Sequence, residues 1–294
     1  MRLLRWLIAL ALVGGGVFWM LTRPAPVPPE YATLTGDAER GALVFAVAGC
    51  ASCHIAPGAE PSDAPVLAGG ERFVSDFGTF LAPNISPSPQ GIGDWTDAEI
   101  MHAVAAGVSP GGAHYYPAFP YTSYHFAEPQ DLADLVAHLR TLPPSETESL
   151  PHEIGFPVTI RRGIGLWKRL YLSDSWTVAD PADARIERGR YLVEGLGHCA
   201  ECHTPRDALG GLDRSAWMAG APNPSGDGRI PAITPGELGW SASDIAYYLE
   251  TGFTPDFDVA GGDMADVVLN TGKLPPEDRE AIAAYLVALP EPGN

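Results

Sequence analysis

All four cysteines of this chain stand in two copies of one pentapeptide: Cys50-Ala51-Ser52-Cys53-His54 and Cys199-Ala200-Glu201-Cys202-His203. Cys-x-x-Cys-His is the spacing of c-type haem attachment. Two thiols one helical turn apart can add across the haem vinyl groups, and the adjoining histidine then faces the iron. Three other readings fit less well. A thioredoxin-like redox pair needs a βαβ context, which the sequence lacks. Zinc sites built from paired Cys-x-x-Cys place the pairs roughly 15–20 residues apart, whereas Cys50 and Cys199 are 149 apart. A disulfide framework suits a shorter, cysteine-denser chain. Two covalently bound haem c groups are expected, held by Cys50, Cys53, Cys199 and Cys202, with His54 and His203 as proximal iron ligands.

At 294 residues the chain has room for two domains. Glycine (33) and proline (29) make up about a fifth of it, which predicts short helices and much loop. A cofactor that supplies part of the core suits such a composition. The net charge is −18, and the only lysines are Lys168 and Lys273. Nucleic-acid binding, which needs a basic footprint, is excluded; solubility and steering toward a basic partner both fit.

The N-terminus carries Arg2 and Arg5, then no charge from Trp6 to Leu21, then Arg23 and a proline-rich stretch. A cleaved secretory signal needs a small-x-small site, and none stands out near Trp19-Met20-Leu21-Thr22. The length instead suits an uncleaved transmembrane anchor over 1–23, with Trp6 and Trp19 near the two interfaces. The basic end stays inside, so the body is expected in the periplasm, on a bacterial inner membrane.

The two halves align on each other. Glu39-Arg40-Gly41 precedes the first motif as Glu187-Arg188-Gly189 precedes the second. Pro83 to Pro87 answers Pro231 to Pro235. Trp95-Thr96 answers Trp240-Ser241, where Thr96 and Ser241 read as helix N-caps, and Gly107 and Gly252 read as C-terminal glycines. An amphipathic helix ending in Leu-Pro closes each half. The expected fold is mainly α: two tandem homologous haem-attaching domains behind an N-terminal transmembrane anchor. The boundaries are 1–23 anchor, 24–36 proline-rich linker, 37–143 first domain, 144–182 inter-domain linker and 183–294 second domain.

In the second half Met264, in the loop before the last helix, is the expected sixth ligand, and Met218 is the competing donor. Met/His ligation raises a haem potential. At the repeat offset of 145, Met264 corresponds to Phe119, which cannot ligate iron. Met101 belongs to a helix expected in the core, and His138 reads as a surface residue of the closing helix. His125 is the preferred sixth ligand of the first haem; His114 and an iron without a protein ligand remain alternatives.

Gly91-Ile92-Gly93-Asp94-Trp95-Thr96, Tyr116-Pro117-Ala118-Phe119-Pro120-Tyr121 and the double haem motif resemble multihaem class I cytochromes c. Closest in kind are the cytochrome subunits of bacterial membrane-bound alcohol, gluconate and fructose dehydrogenases. The resemblance covers roughly 37–290. It implies periplasmic electron transfer from a dehydrogenase toward quinone or a terminal oxidase, with His54 and His203 proximal and Met264 distal. Two departures stand out: those subunits commonly carry three haems, and methionine is typical where Phe119 stands.

The linker holds the main basic cluster, Arg161, Arg162, Lys168 and Arg169, interleaved with Ile164, Leu166, Trp167, Leu170 and Tyr171. It is expected to be a strap across both domains with arginines meeting haem propionates, or a docking element for a membrane or an acidic partner. The functional expectation is an electron carrier between a dehydrogenase or quinol-oxidising donor and a terminal acceptor, not an enzyme. The alternative is a dihaem, peroxidase-like enzyme with an open first iron.

Overall fold

The computed structural model describes residues 1–290 apart from Pro61, Ser225 and Asp227; the last four positions of the second expected domain, 291–294, lie outside these. The chain is mostly helical. Helix α1 (Arg2–Leu21) projects from the body with no residue buried. The first half then runs through α2 (Ala38–Val47), α3 (Cys50–His54), a hairpin of β1 (Arg72–Ser75) and β2 (Gly78–Leu81), α4 (Asp97–Ala106), α5 (Tyr121–Tyr124) and α6 (Pro129–Leu139). The linker contributes β3 (Glu153–Ile154) and α7 (Ile164–Tyr171). The second half holds α8 (Ala184–Arg190), α9 (Ala200–His203), the pair β4 (Ala221–Pro222) and β5 (Arg229–Ile230), α10 (Pro235–Leu238), α11 (Ala242–Thr251), α12 (Asp263–Thr271) and α13 (Pro276–Val287).

Each half is built on one helix crossing. In the first, α2 packs on α6 at Gly41, where an added Cβ would lie 1.9 Å from the Asp134 carbonyl oxygen. In the second, α8 packs on α13 at Gly189, where a Cβ would lie 2.0 Å from the Ala281 carbonyl oxygen. Only glycine lets the backbones approach so closely. An arginine beside each glycine locks the crossing. Arg40 forks onto the buried Asp134 at 2.7 and 3.0 Å, and Arg188 forks onto Asp278 at 2.8 and 2.9 Å.

The caps read from the sequence are formed. Thr96 and Glu99 make a capping box at the start of α4, and Ser241 and Asp244 make one at the start of α11. Both helices stop at a left-handed glycine, Gly107 (φ 59°) and Gly252 (φ 78°), where a Cβ would be strained. The same tight turn follows in each half: Val108 bridges His114, and Phe253 bridges Val259. Each bridge residue keeps the offset of 145. The closing helices, Pro129–Leu139 and Pro276–Val287, both stop short of their Leu-Pro marks.

The linker is a strap. Its first part lies on the first half: β3 pairs antiparallel with β2, and Asn84 donates to the carbonyls of Ser145 and Thr147. Further on it ties to the second half. Trp167 Nε1 donates to the Leu209 carbonyl at 2.9 Å, and the Tyr171 hydroxyl donates to Asp207 at 2.6 Å. Its basic residues meet helix ends. Arg162 donates to the Trp19 carbonyl and the Thr22 hydroxyl, Arg169 to the Leu21 carbonyl, and Lys168 to the carbonyls of Ala106 and Gly107. Carbonyls at a helix C-terminus have no intrahelical N–H partner and carry partial negative charge, so cations settle there.

Three expectations for single residues can be placed. Met101 is buried, as expected for core. Met218 is fully buried, with its backbone at φ 56°. His138 is not the surface residue expected: it is half-buried, its ring 5.0 Å from that of Phe45. The crossing of α2 and α6 draws it inward.

Candidate haem-binding sites

Both attachment motifs fold as a single helical turn. The residue before each first cysteine is left-handed: Gly49 at φ 61° and His198 at φ 40°. Glycine adopts this freely, and histidine is among the few side chains that tolerate it. His198 is held there by its surroundings. Its ring lies 5.5 Å from Tyr124, and its Nε2 lies 3.3 Å from the Ala48 carbonyl, just ahead of the first motif.

The two motif histidines are oriented alike. His54 Nδ1 lies 2.8 Å from the Pro83 carbonyl, and His203 Nδ1 lies 2.8 Å from the Pro231 carbonyl. A carbonyl only accepts, so Nδ1 carries the proton in each ring and Nε2 presents a lone pair. Burial lowers the pKa of both imidazoles, opposed by these same bonds, and so favours the neutral form an iron ligand needs. The backbone supports the posture. The carbonyl of His54 accepts from Gly69 and that of His203 from Gly220, at 2.7 and 2.8 Å. Both glycines are left-handed, and a Cβ on either would meet backbone of the proline segment that carries the orienting carbonyl. The proline repeat seen in the sequence therefore exists to aim two imidazoles.

Burial pushes the Cys50 and Cys199 thiols up to about 12 and the Cys53 thiol up to about 11, and it raises Cys202 as well. Such thiols are poor thiolates, unlike a redox pair. Among the described residues no group of three or more His, Cys, Asp or Glu side chains is placed to hold a metal ion. Sulfurs on one turn beside a neutral imidazole with a free Nε2 fit haem c at both places.

The two motifs abut. The Cys53 thiol, shifted first by burial, also feels the charges of Cys202, Asp263, Glu71 and Asp266. Asn270 on α12 donates to Ser52 inside the first motif at 3.0 Å. Thr122 on α5 donates to Glu201 inside the second at 2.6 Å. Three polar contacts, counting His198 on Ala48, thus tie each motif, or the residue beside it, to the other half.

Met264 stands half-buried in the first turn of α12, not in a free loop. Its counterpart Phe119 sits in an aromatic cluster, with ring centroids 6.1 Å from Tyr115 and 5.6 Å from Tyr124. Tyr124 in turn donates to the Ala48 carbonyl at 2.6 Å, so Phe119 lies close to the first motif. His125 ends α5. Its Nε2 lies 2.7 Å from the Ser173 carbonyl of the strap, its ring 3.9 Å from Phe126, and its buried Nδ1 has no hydrogen-bond partner. His114 Nε2 is held by the Thr22 carbonyl at 2.9 Å, where the strap meets the end of α1.

Glu194 escaped the sequence reading. Past α8 the helix widens into a π turn over Tyr191–Leu196, a form concentrated at functional sites. The turn directs the buried Glu194 to accept from the backbone of Thr177 and Val178 and from the Tyr285 hydroxyl. It joins the strap to α13 beside the second motif. A glutamate in an apolar helix was the available sign.

Fold and sites together define a haem-attaching cytochrome. Comparison with known proteins agrees: the cytochrome c family model matches residues 38–143. The chain is 57% identical over 285 residues to a diheme cytochrome c-type protein of Cereibacter sphaeroides, covering 96% of each. It is 35% identical to the fructose dehydrogenase cytochrome subunit of Gluconobacter japonicus, over 96% of this chain and 57% of that one. It is also 35% identical to a nicotinate dehydrogenase subunit of Pseudomonas putida, over 97% of this chain and 25% of that one. The chain belongs to the cytochrome c family, among its dihaem members, and carries two covalently bound haem c groups for electron transport. It spans about half the length of the fructose dehydrogenase cytochrome and a quarter of the nicotinate dehydrogenase polypeptide.

Proposed function

We propose that this chain is a membrane-anchored, periplasmic dihaem cytochrome c with tandem haem domains at 37–143 and 183–294, carrying electrons from a dehydrogenase partner toward a terminal acceptor. The observation that carries the reading is the doubled attachment turn, each with its histidine aimed by a proline carbonyl and each tied by polar contacts to the other half. Each haem, when bound, supplies one-electron exchange at its iron. The chain's residues set the terms of that exchange. Cys50, Cys53, Cys199 and Cys202 fix the groups covalently. Pro83 and Pro231 fix the tautomers of His54 and His203. Contacts through Asn270, Thr122 and His198 hold the two turns at a constant separation.

Met264 is proposed as the sixth ligand of the second haem, which raises its potential. His125 is proposed for the first, exchanging its contact with Ser173 for iron. Electrons then run from the first domain to the second. Twenty residues of α1 span about 30 Å, the thickness of a bilayer core, and Arg2 and Arg5 favour the cytoplasmic side for its start. The grip of Arg162, Arg169 and His114 on the end of α1 supports an anchor that stays attached. Relatives named as dehydrogenase subunits support a dehydrogenase as donor.

The test is isolation of the tagged full-length chain from membranes. Extraction only by detergent, two haems per chain and a dehydrogenase polypeptide that reduces it on addition of its substrate are expected. A soluble product beginning beyond residue 21, or a chain that no co-purifying dehydrogenase reduces, would refute the reading.

A further inference from the structure

The two halves repeat one face and cover it differently. In the first half His102, Val108 and His114 are each 4% exposed. The chain itself covers them. His102 and His114 are held by the carbonyls of Ala25 and Thr22, and Gly165 of α7 fits so closely that a Cβ there would lie 2.9 Å from His114 Nε2. Lys168 of α7 reaches the two carbonyls that end α4, beside the same face. At the offset of 145 the second half places Tyr247, Phe253 and Val259, and these are 56%, 49% and 60% exposed. Every substitution is toward an apolar or aromatic residue, yet among the described residues none seals them as α7 and the end of α1 seal the first half.

The tip of the turn points the same way. Gly112 of the first half is left-handed, at φ 77°; its counterpart Phe257 adopts φ 63° and is 94% exposed. A bulky side chain in this conformation costs free energy, and solvent exposure returns none of it. With Asp244 and Thr254, the aromatic residues line a groove of about 410 Å³. Because the equivalent face in the first half is covered by protein, it is not the haem pocket. The rim is acidic, through Asp244, Asp256 and Asp258, and the carbonyl end of α11 adds partial negative charge.

We propose that the face of Tyr247, Phe253, Phe257 and Val259 docks a cationic, apolar-faced helical segment of a partner protein, in the way α7 docks on the first half. An apolar helix face fills the groove, and a lysine or arginine of the partner reaches the end of α11 as Lys168 reaches the end of α4. A second copy of this chain is a poor occupant, since each copy carries a net charge of −18 and α7 is engaged in its own half. The inference rests on the reading of the chain as one that meets a protein partner.

The probe is a synthetic peptide of residues 160–172 of this chain, titrated by calorimetry into the intact dihaem protein. One site per chain is expected, weakened by added salt, weakened at least tenfold by Phe253→Ser, and weakened at least fivefold when the peptide carries Lys168→Glu. Phe257→Gly is expected to raise the melting temperature while it weakens the peptide; a purely structural role would lower stability and leave binding unchanged. Absence of binding, binding unaffected by Phe253→Ser and Phe257→Gly, or self-association in the ultracentrifuge that Phe253→Ser abolishes would overturn the proposal. None of these readouts involves electron exchange with a dehydrogenase, so failure here is separable from failure of the proposed function.

Discussion

The two halves agree where a haem is attached and differ where its properties and neighbours are set. The glycine crossing, the arginine lock, the capping box, the left-handed stop and the proline carbonyl on the histidine occur twice. On the side proposed as distal the halves part. The first has Phe119 and the four-residue α5; the second has Met264 opening the nine-residue α12. They part again on the outer face, sealed in one by α7 and the end of α1, bare in the other. The repeat keeps what covalent attachment needs, and the halves differ at the positions proposed to tune potential and choose contacts.

The largest effect expected is on attachment. Cys199→Ser with Cys202→Ser should halve the haem content, from two to one per chain, as read by the pyridine haemochrome assay. A remaining content of two would break the equivalence of the motifs. Next comes the distal contrast. Met264→His should lower the potential of one haem only, on the order of a few hundred mV, in a spectroelectrochemical titration. An effect on both haems, or on neither, would contradict the assignment of Met264 to the second.

The crossings give a matched pair. Gly41→Val and Gly189→Val each force a side chain into backbone at 1.9 and 2.0 Å, and each should cost about 3 kcal/mol or more in denaturant unfolding. Unequal losses would show that one half supports the other. A smaller effect separates the covered face from the bare one. Burial pushes Lys168 down to about 7 from its ordinary value of 10.5, where it meets two carbonyls and lies 4.3 Å from the Tyr121 ring centre. Between those values the unfolded chain binds more protons than the folded one, so this group makes stability rise with pH across roughly 7 to 10.5. Lys168→Met should flatten that rise in melting temperature; an unchanged slope would refute the burial.

Much of this was legible in the sequence, because it is written locally. Cys-x-x-Cys-His, Thr96 with Glu99, Ser241 with Asp244, and Gly107 and Gly252 each declare their role within a few residues. The offset of 145 marked Phe119 as the break. What stayed hidden depends on partners far along the chain. Nothing near Pro83 or Pro231 tells that their carbonyls aim histidines about thirty residues earlier. The linker reads from sequence as either a strap, with arginines meeting propionates, or a docking element. It is a strap, and Arg162, Arg169 and Lys168 are engaged by the closing carbonyls of α1 and α4, a pairing set by how the helices end in space. His138 turned inward for the same reason, drawn by a crossing that only the fold reveals.

The central claim is that both irons are closed by protein ligands of unlike kind, so that the chain carries electrons and does no chemistry on small molecules. Electron paramagnetic resonance of the oxidised full-length protein, with carbon monoxide titrated into the reduced form, tests it most directly. Two distinct low-spin signals and no carbon monoxide bound are predicted, with His125→Ala opening one site. A high-spin signal with one carbon monoxide bound per chain would contradict the account and leave the first iron open.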